Sequence, residues 1–286
     1  MRRTTAGWGS GLLGVLIFSG ALPATRLAVA GFAPLFLTAA RAVIAASLGG
    51  LLLWALREKR PARGDLAALA LVSLGVVVGF PQLTALALRQ IAAAQSVVFV
   101  GMLPLATALF GVLRGGERPR PAFWLFSLLG SAAVAGFALG QGGAAGAGPS
   151  LLMLGAILLC GLGYAEGAAL SRRLGGWQVI SWALLLALPA MAPLALATWP
   201  ERWDGVGPGA WGGLAYVSVF SMLIGFLFWY RGLALGSIAG VGQLQLLQPF
   251  LGLALAALLV GEPVSGTMFA ASAVVVLCVA GARRFA

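Results

Sequence analysis

Ten apolar blocks of about 18–25 residues fill almost the whole chain, near residues 8–26, 32–56, 66–88, 91–113, 122–140, 150–170, 177–199, 210–231, 238–260 and 264–282. A helix rises 1.5 Å per residue, so roughly 20 residues cross a hydrocarbon layer of about 30 Å. Blocks of that length, with short connections between them, predict an all-α polytopic membrane protein. Composition agrees. The chain is 61% hydrophobic and 9% charged, whereas a soluble domain carries roughly 25% charged residues. Too few charges are present to build a water-facing surface.

The net charge of +11 raises nucleic acid as a partner, but the basic residues sit at block edges and form no single polar face. Membrane topology explains them better, because Lys and Arg accumulate in cytoplasmic loops. With a cytoplasmic N-terminus, the inside segments hold Arg2, Arg3, Arg57, Lys59, Arg60, Arg63, Arg114, Arg118, Arg120, Arg172, Arg173, Arg283 and Arg284. The outside segments hold Arg26, Arg89 and Arg202. Both termini are therefore expected inside. Met1-Arg2-Arg3 before an apolar run, with Ala28-Val29-Ala30 downstream, also fits a leader peptide. The segment is read as the first helix, since the charge alternation stays in phase only if it is kept.

The chain is also duplicated. Ala85-Leu86-Ala87-Leu88 precedes Pro104 and Gly116-Glu117 in one half, and Leu233-Ala234-Leu235 precedes Pro249 and Gly261-Glu262 in the other. Thirteen residues separate Pro104 from Glu117, and thirteen separate Pro249 from Glu262. The expected division is 1–140, a Gly/Ala-rich tether 141–149, and 150–286. Five spans per half is an odd number, so the second half enters the membrane inverted. Inverted repeats around a central cavity are a common construction of secondary transporters.

With the repeat in place, the sequence resembles the EamA family of the drug/metabolite transporter superfamily. The likeness covers nearly the whole chain. It is carried by Ala92 to Glu117 with Pro104-Leu105, by the second copy through Gln248-Pro249 and Gly261-Glu262, by Pro23-Ala24-Thr25-Arg26 ending the first helix, by Pro34 and Arg41, and by Ser171-Arg172-Arg173-Leu174. The resemblance implies ten helices, a cavity between helices 1, 3, 4, 6, 8 and 9, and export of amino acids or other metabolites by alternating access. Bacterial inner-membrane exporters of aromatic and other neutral amino acids are the most similar group. A proton-coupled exporter of hydrophobic or cationic drugs is the alternative.

Enzyme readings find little to stand on. The chain has no histidine, which removes Ser-His and Cys-His pairs and the commonest metal ligand. No carboxylate pair shares a span, and no GxxxxGK[ST] occurs. No cofactor or metal is expected, and a lipid-modifying enzyme or a non-transporting scaffold is disfavoured. Cys160 and Cys278 both lie in apolar blocks without metal-ligand spacing, and read as buried small hydrophobes. The expected partners are the bilayer and a small solute. Nothing in the residues fixes monomer or homo-oligomer.

Polar groups in hydrocarbon are unfavourable unless they find partners or face water. Ser19, Gln82, Gln95, Ser221, Gln245 and Gln248 are therefore candidate cavity residues, with Phe80, Phe99, Tyr164 and Trp229 as walls for an apolar side chain. Glu166 is the acidic residue inside a predicted helix; it is either a titrating or ammonium-binding group or a structural ion pair. Arg41, some nine residues into the second helix, is either a carboxylate contact or a tie between helices. Glu117 and Glu262 are expected as caps or gate contacts.

Overall fold

The computed structural model describes residues 2–91, 96, 99–140, 146–252, 254 and 266–286. Gln95, residues 141–145 of the tether and the second Gly-Glu pair, Gly261-Glu262, lie outside the described residues. Every regular element among the described residues is helical. In chain order the rods are α1 (Thr5–Gly31), α2 (Pro34–Ala55), α3 (Arg63–Leu88), α4 (Leu103–Gly115), α5 (Pro121–Gly140), α6 (Ala147–Leu174), α7 (Gly176–Ala197), α8 (Pro208–Leu235), α9 (Ile238–Gly242, continuing in tighter winding through Leu247) and α10 (Gly266–Phe285). Six of them, α1, α2, α3, α6, α7 and α8, are long and apolar enough to cross a membrane.

The first rod is longer than its sequence suggests. Pro23 and its neighbours read as a helix end, yet Arg2–Ser19 passes through a bend at Gly20 into Ala21–Gly31. Proline lacks an N–H for the carbonyl one turn back and crowds it, so the rod bends without stopping. The Tyr216 hydroxyl donates to the Ile17 carbonyl at 2.6 Å, just before the bend. Gly20 lies under that ring; a Cβ there would come within 2.5 Å of the hydroxyl.

The packing obeys the duplication. α2 packs on α7, α4 on α9 and α5 on α10, while α1 packs on α8 and α3 on α6. Exchanging the halves, so that α1 becomes α6 and α3 becomes α8, maps this set of pairs onto itself. The close crossings are also exchanged. A Cβ on Gly75 of α3 would meet Leu159 Oof α6 at 2.5 Å, and a Cβ on Gly232 of α8 would meet Gly11 N of α1 at 2.6 Å. Small residues let helix backbones touch where lipid offers no hydrophobic drive between helices. The same mirrored rods carry a second shared feature: wide, π-type winding over Ser73–Gly79 in α3 and over Tyr216–Ile224 in α8.

The interior is aromatic at its centre, and the outside is greasy. Trp229 and Tyr230 are fully buried, whereas Trp54 is 76% exposed, Leu196 71% and Leu277 70%. Large apolar side chains on the rim of a helical body are what lipid requires. At the end remote from the chain termini, Trp199, Trp203 and Trp211 gather with Phe32 and Phe36, with ring centroids 5.1–6.3 Å apart. Tryptophans favour the level of the lipid headgroups.

Tyr230 ties the interior together by donating to the Gly163 carbonyl at 3.0 Å. Tyr230→Phe removes one buried hydrogen bond, at a cost of about 1 kcal/mol. A lower melting temperature by a few degrees is the expected result. It is readable with a thiol-reactive dye, because Cys160 and Cys278 are both free and buried. An unchanged melting temperature would show that the bond contributes nothing net.

Candidate functional site

A narrow cavity of about 40 Å³ lies between the two halves. α1 contributes Phe18, Ala21, Leu22 and Thr25; α2 contributes Arg41; α3 contributes Val76, Phe80, Pro81 and Thr84. Val100 and Leu103 close one side at α4. From the second half come Tyr164 of α6, Ser221 and Phe226 of α8, and Gln248 just beyond α9.

Local winding explains why these side chains converge. Phe80 is the first residue after the wide turn of α3, and Phe226 follows Gly225 after the wide turn of α8. The two mirrored helices thus each deliver a phenyl ring to the same space. Phe226 lies 5.1 Å from Phe18 and 5.9 Å from Tyr164, both edge-on. In α9 the tight winding over Gln243–Leu247 has three residues per turn, so positions three apart line up. Gln245 and Gln248 therefore share one side.

The candidates fall into three groups. Phe80, Tyr164, Ser221, Gln248 and Arg41 line the cavity. Gln248 also donates to the Phe18 carbonyl at 3.2 Å. Ser19, Gln82, Phe99, Trp229 and Gln245 stand behind or beside that wall. Ser19 donates to the Val15 carbonyl at 2.7 Å. Phe99 packs into the surrounding core. Trp229 backs Tyr164 and Phe18, with centroids at 5.4 and 6.1 Å. Gln245 is fully buried and faces the Tyr164 hydroxyl, with neither amide atom in a well-formed hydrogen bond; the Gln82 carbonyl oxygen is likewise buried without a partner. Glu166 stands apart: its carboxylate is held by Arg114, away from the cavity lining. Phe18, Thr25 and Phe226 line the cavity without having been chosen from the sequence. Phe18 and Thr25 belong to α1, where residue type alone does not single them out. Phe226 is placed by a winding that hydrophobic periodicity does not reveal.

Arg41 is 6% exposed. Its Nη2 donates to the Val217 carbonyl of α8 at 3.2 Å, and its Nε has no hydrogen-bond partner. Thr84 Oγ1, also buried, has none either.

The end that carries the chain termini is closed by polar links, each joining the first half to the second. Arg114 pairs with Glu166, Arg173 with Asp65 at 2.6 Å, Arg172 with Glu117 at 3.2 Å, and Gln178 donates to Glu58 at 3.2 Å. Gly116 adopts φ +68 at the end of α4, a left-handed conformation that suits glycine and turns the chain off the helix. That turn brings Glu117 onto the start of α9, where it accepts from Ile238 N at 2.6 Å and Ala239 N at 2.8 Å. The Gly-Glu motif is thus a cap delivered across the interface.

Comparison with known proteins converges on one group. The EamA-like transporter family matches residues 6–139 and again residues 148–283. The uncharacterized transporter YdeK of Bacillus subtilis is 61% identical over 286 residues, covering all of both chains. The uncharacterized transporter sll0355 of Synechocystis is 27% identical over 269 residues, covering 86% of this chain and 80% of the relative. A solved crystal structure shares the fold with a TM-score of 0.77 at 22% identity, covering 100% of this chain and 99% of the other. Two matches to one family's repeat, an all-helical body among the described residues and a transporter relative over the full length place this multi-pass membrane protein in the EamA-like transporter family.

Proposed function

We propose that the chain is a secondary transporter that exports small metabolites, most of all neutral or aromatic amino acids, across a bacterial inner membrane. Its ten helices form two inverted five-helix repeats, 1–140 and 150–286, joined by the tether 141–149, with both termini cytoplasmic. The two halves rock about the central cavity and open it to one side at a time. The observation that carries this reading is the cavity itself: both halves line it, and every polar link described at the terminal end crosses between them. Phe80, Tyr164, Ser221 and Gln248 contact the solute, and Ser19, Gln82, Gln95, Phe99, Trp229 and Gln245 shape the pocket around them. Proton coupling through Glu166 for cationic drugs has less support, because Arg114 already engages that carboxylate.

The test is counterflow of labelled amino acids into proteoliposomes, with and without a pH gradient. Saturable exchange of a neutral amino acid is expected. Ser221→Trp blocks the cavity and lowers that exchange, measured on protein that stays monodisperse in detergent. Exchange that survives Ser221→Trp unchanged, or no exchange by any member of the panel, defeats the reading.

A further inference from the structure

Arg41 is the one charged side chain among the described residues that lines the cavity. It is almost wholly withdrawn from solvent, and arginine keeps its proton in such surroundings. A buried, uncompensated charge is costly, and natural proteins pair it or use it. Among the described residues one carbonyl, Val217 O, accepts from a guanidinium that carries five N–H donors. The Nε–H is without a partner, and Arg41 makes none of the ion pairs found among the described residues. No aspartate or glutamate among the described residues lines the cavity. Among the described residues, no counter-charge for Arg41 is found.

The chemistry of what supplies it follows from the walls. A planar guanidinium whose Nε–H is unpartnered can take a carboxylate in two-point contact. Phe18, Phe80, Tyr164 and Phe226 offer an apolar, aromatic enclosure. Thr84 adds a buried hydroxyl that has no partner of its own. An ammonium or quaternary cation entering the same space meets a like charge in a medium that screens it poorly. Resting on the transport reading above, we propose that Arg41 anchors the carboxylate of an apolar acid or amino acid in this cavity, and that the site thereby excludes solutes of net positive charge.

Three probes share one phenyl ring and differ in charge: 3-phenylpropionate, phenylalanine and phenethylamine. Purified wild-type protein is titrated with each, following thermal stabilisation, and counterflow of each is measured in proteoliposomes. Both carboxylates are expected to bind and the amine is not. Arg41→Gln should weaken both carboxylates at least about 30-fold, the lower range for losing one partner of a buried charge pair. Arg41→Lys should retain part of the affinity without restoring two-point contact. Phenethylamine binding as tightly as 3-phenylpropionate overturns the proposal on wild-type protein alone, even if Arg41→Gln fails to fold. So does binding of neither carboxylate, or carboxylate binding unchanged in Arg41→Gln. Arg41-dependent binding without counterflow leaves the anchor standing and removes the transport reading. Counterflow of the amine alone does the reverse.

Discussion

Gly232→Leu is expected to leave almost no folded protein, and Gly75→Leu to do the same. A Cβ at Gly232 would lie 2.6 Å from Gly11 N, 2.7 Å from Gly11 Cα and 3.0 Å from Gly7 O. All three are backbone atoms, which have no rotamer to escape into. At Gly75 the neighbours are Leu159 O at 2.5 Å, Gly163 Cα at 3.0 Å and Gly163 N at 3.1 Å, again all backbone. Overpacking in a core that can yield costs about 1–3 kcal/mol. Here a whole helix must retreat, and the pair α1–α8 in Gly232→Leu or α3–α6 in Gly75→Leu loses its contact. Against a total stability of about 5–15 kcal/mol, that is a failure to fold. The measurement is the yield of monodisperse protein in detergent, with Gly9→Leu as the control. A Cβ at Gly9 would meet nothing within 4 Å, so that variant should behave as wild type. A monodisperse Gly232→Leu protein melting within a few degrees of the parent would refute the argument.

Neutralising the polar closure should shift the protein toward opening at the terminal end. The carboxylates of Glu166, Glu117 and Asp65 are 8%, 13% and 6% exposed, but their partners Arg114, Arg172 and Arg173 are 50%, 39% and 66% exposed. Water reaches each pair, so each contributes no more than about 1 kcal/mol. Asp65→Asn, Glu166→Gln and Arg172→Gln together remove all three while leaving Glu117 to cap α9. A combined loss of about 2 kcal/mol shifts a two-state equilibrium ~30-fold. Ser221→Cys, in a background with Cys160 and Cys278 replaced by alanine, reports it through an impermeant maleimide applied from the side of the termini. Labelling should accelerate by about that factor in the triple variant. Equal rates would mean that packing, and not these links, keeps that end shut.

Much of the architecture was written in local pattern. Block length and charge at block edges predicted an all-helical membrane body, and the repeated Pro-to-Glu spacing predicted two related halves. The cavity residues were legible where polarity itself was the anomaly, as at Ser221, Gln248 and Arg41. Residues were missed where geometry departs from regular winding. Phe226 needed the wide turn before it, and residue type alone does not set Phe18 or Thr25 apart from the other positions of α1. Pairing was the other blind spot. Glu166 and Arg114 lie 52 residues apart, and Asp65 and Arg173 lie 108 apart. No periodicity relates such positions, so Glu166 stood open between a titrating group and an ion pair until the helices were in place. Glu117 was expected as a cap or gate contact, but not that the helix it caps belongs to the other half.

The wide turns in α3 and α8 carry a further consequence. One residue subtends about 100° around an α-helix and advances it by 1.5 Å. Winding either segment back to the regular form would therefore swing everything beyond it by about that angle, with hardly any change in the direction of the rod. Phe80 and Phe226 are among the first side chains to be carried round. Their orientation is a property of pitch, held upstream of the rings themselves, and a one-residue deletion within Ser73–Gly79 or Tyr216–Ile224 would re-aim a ring while leaving its own codon untouched.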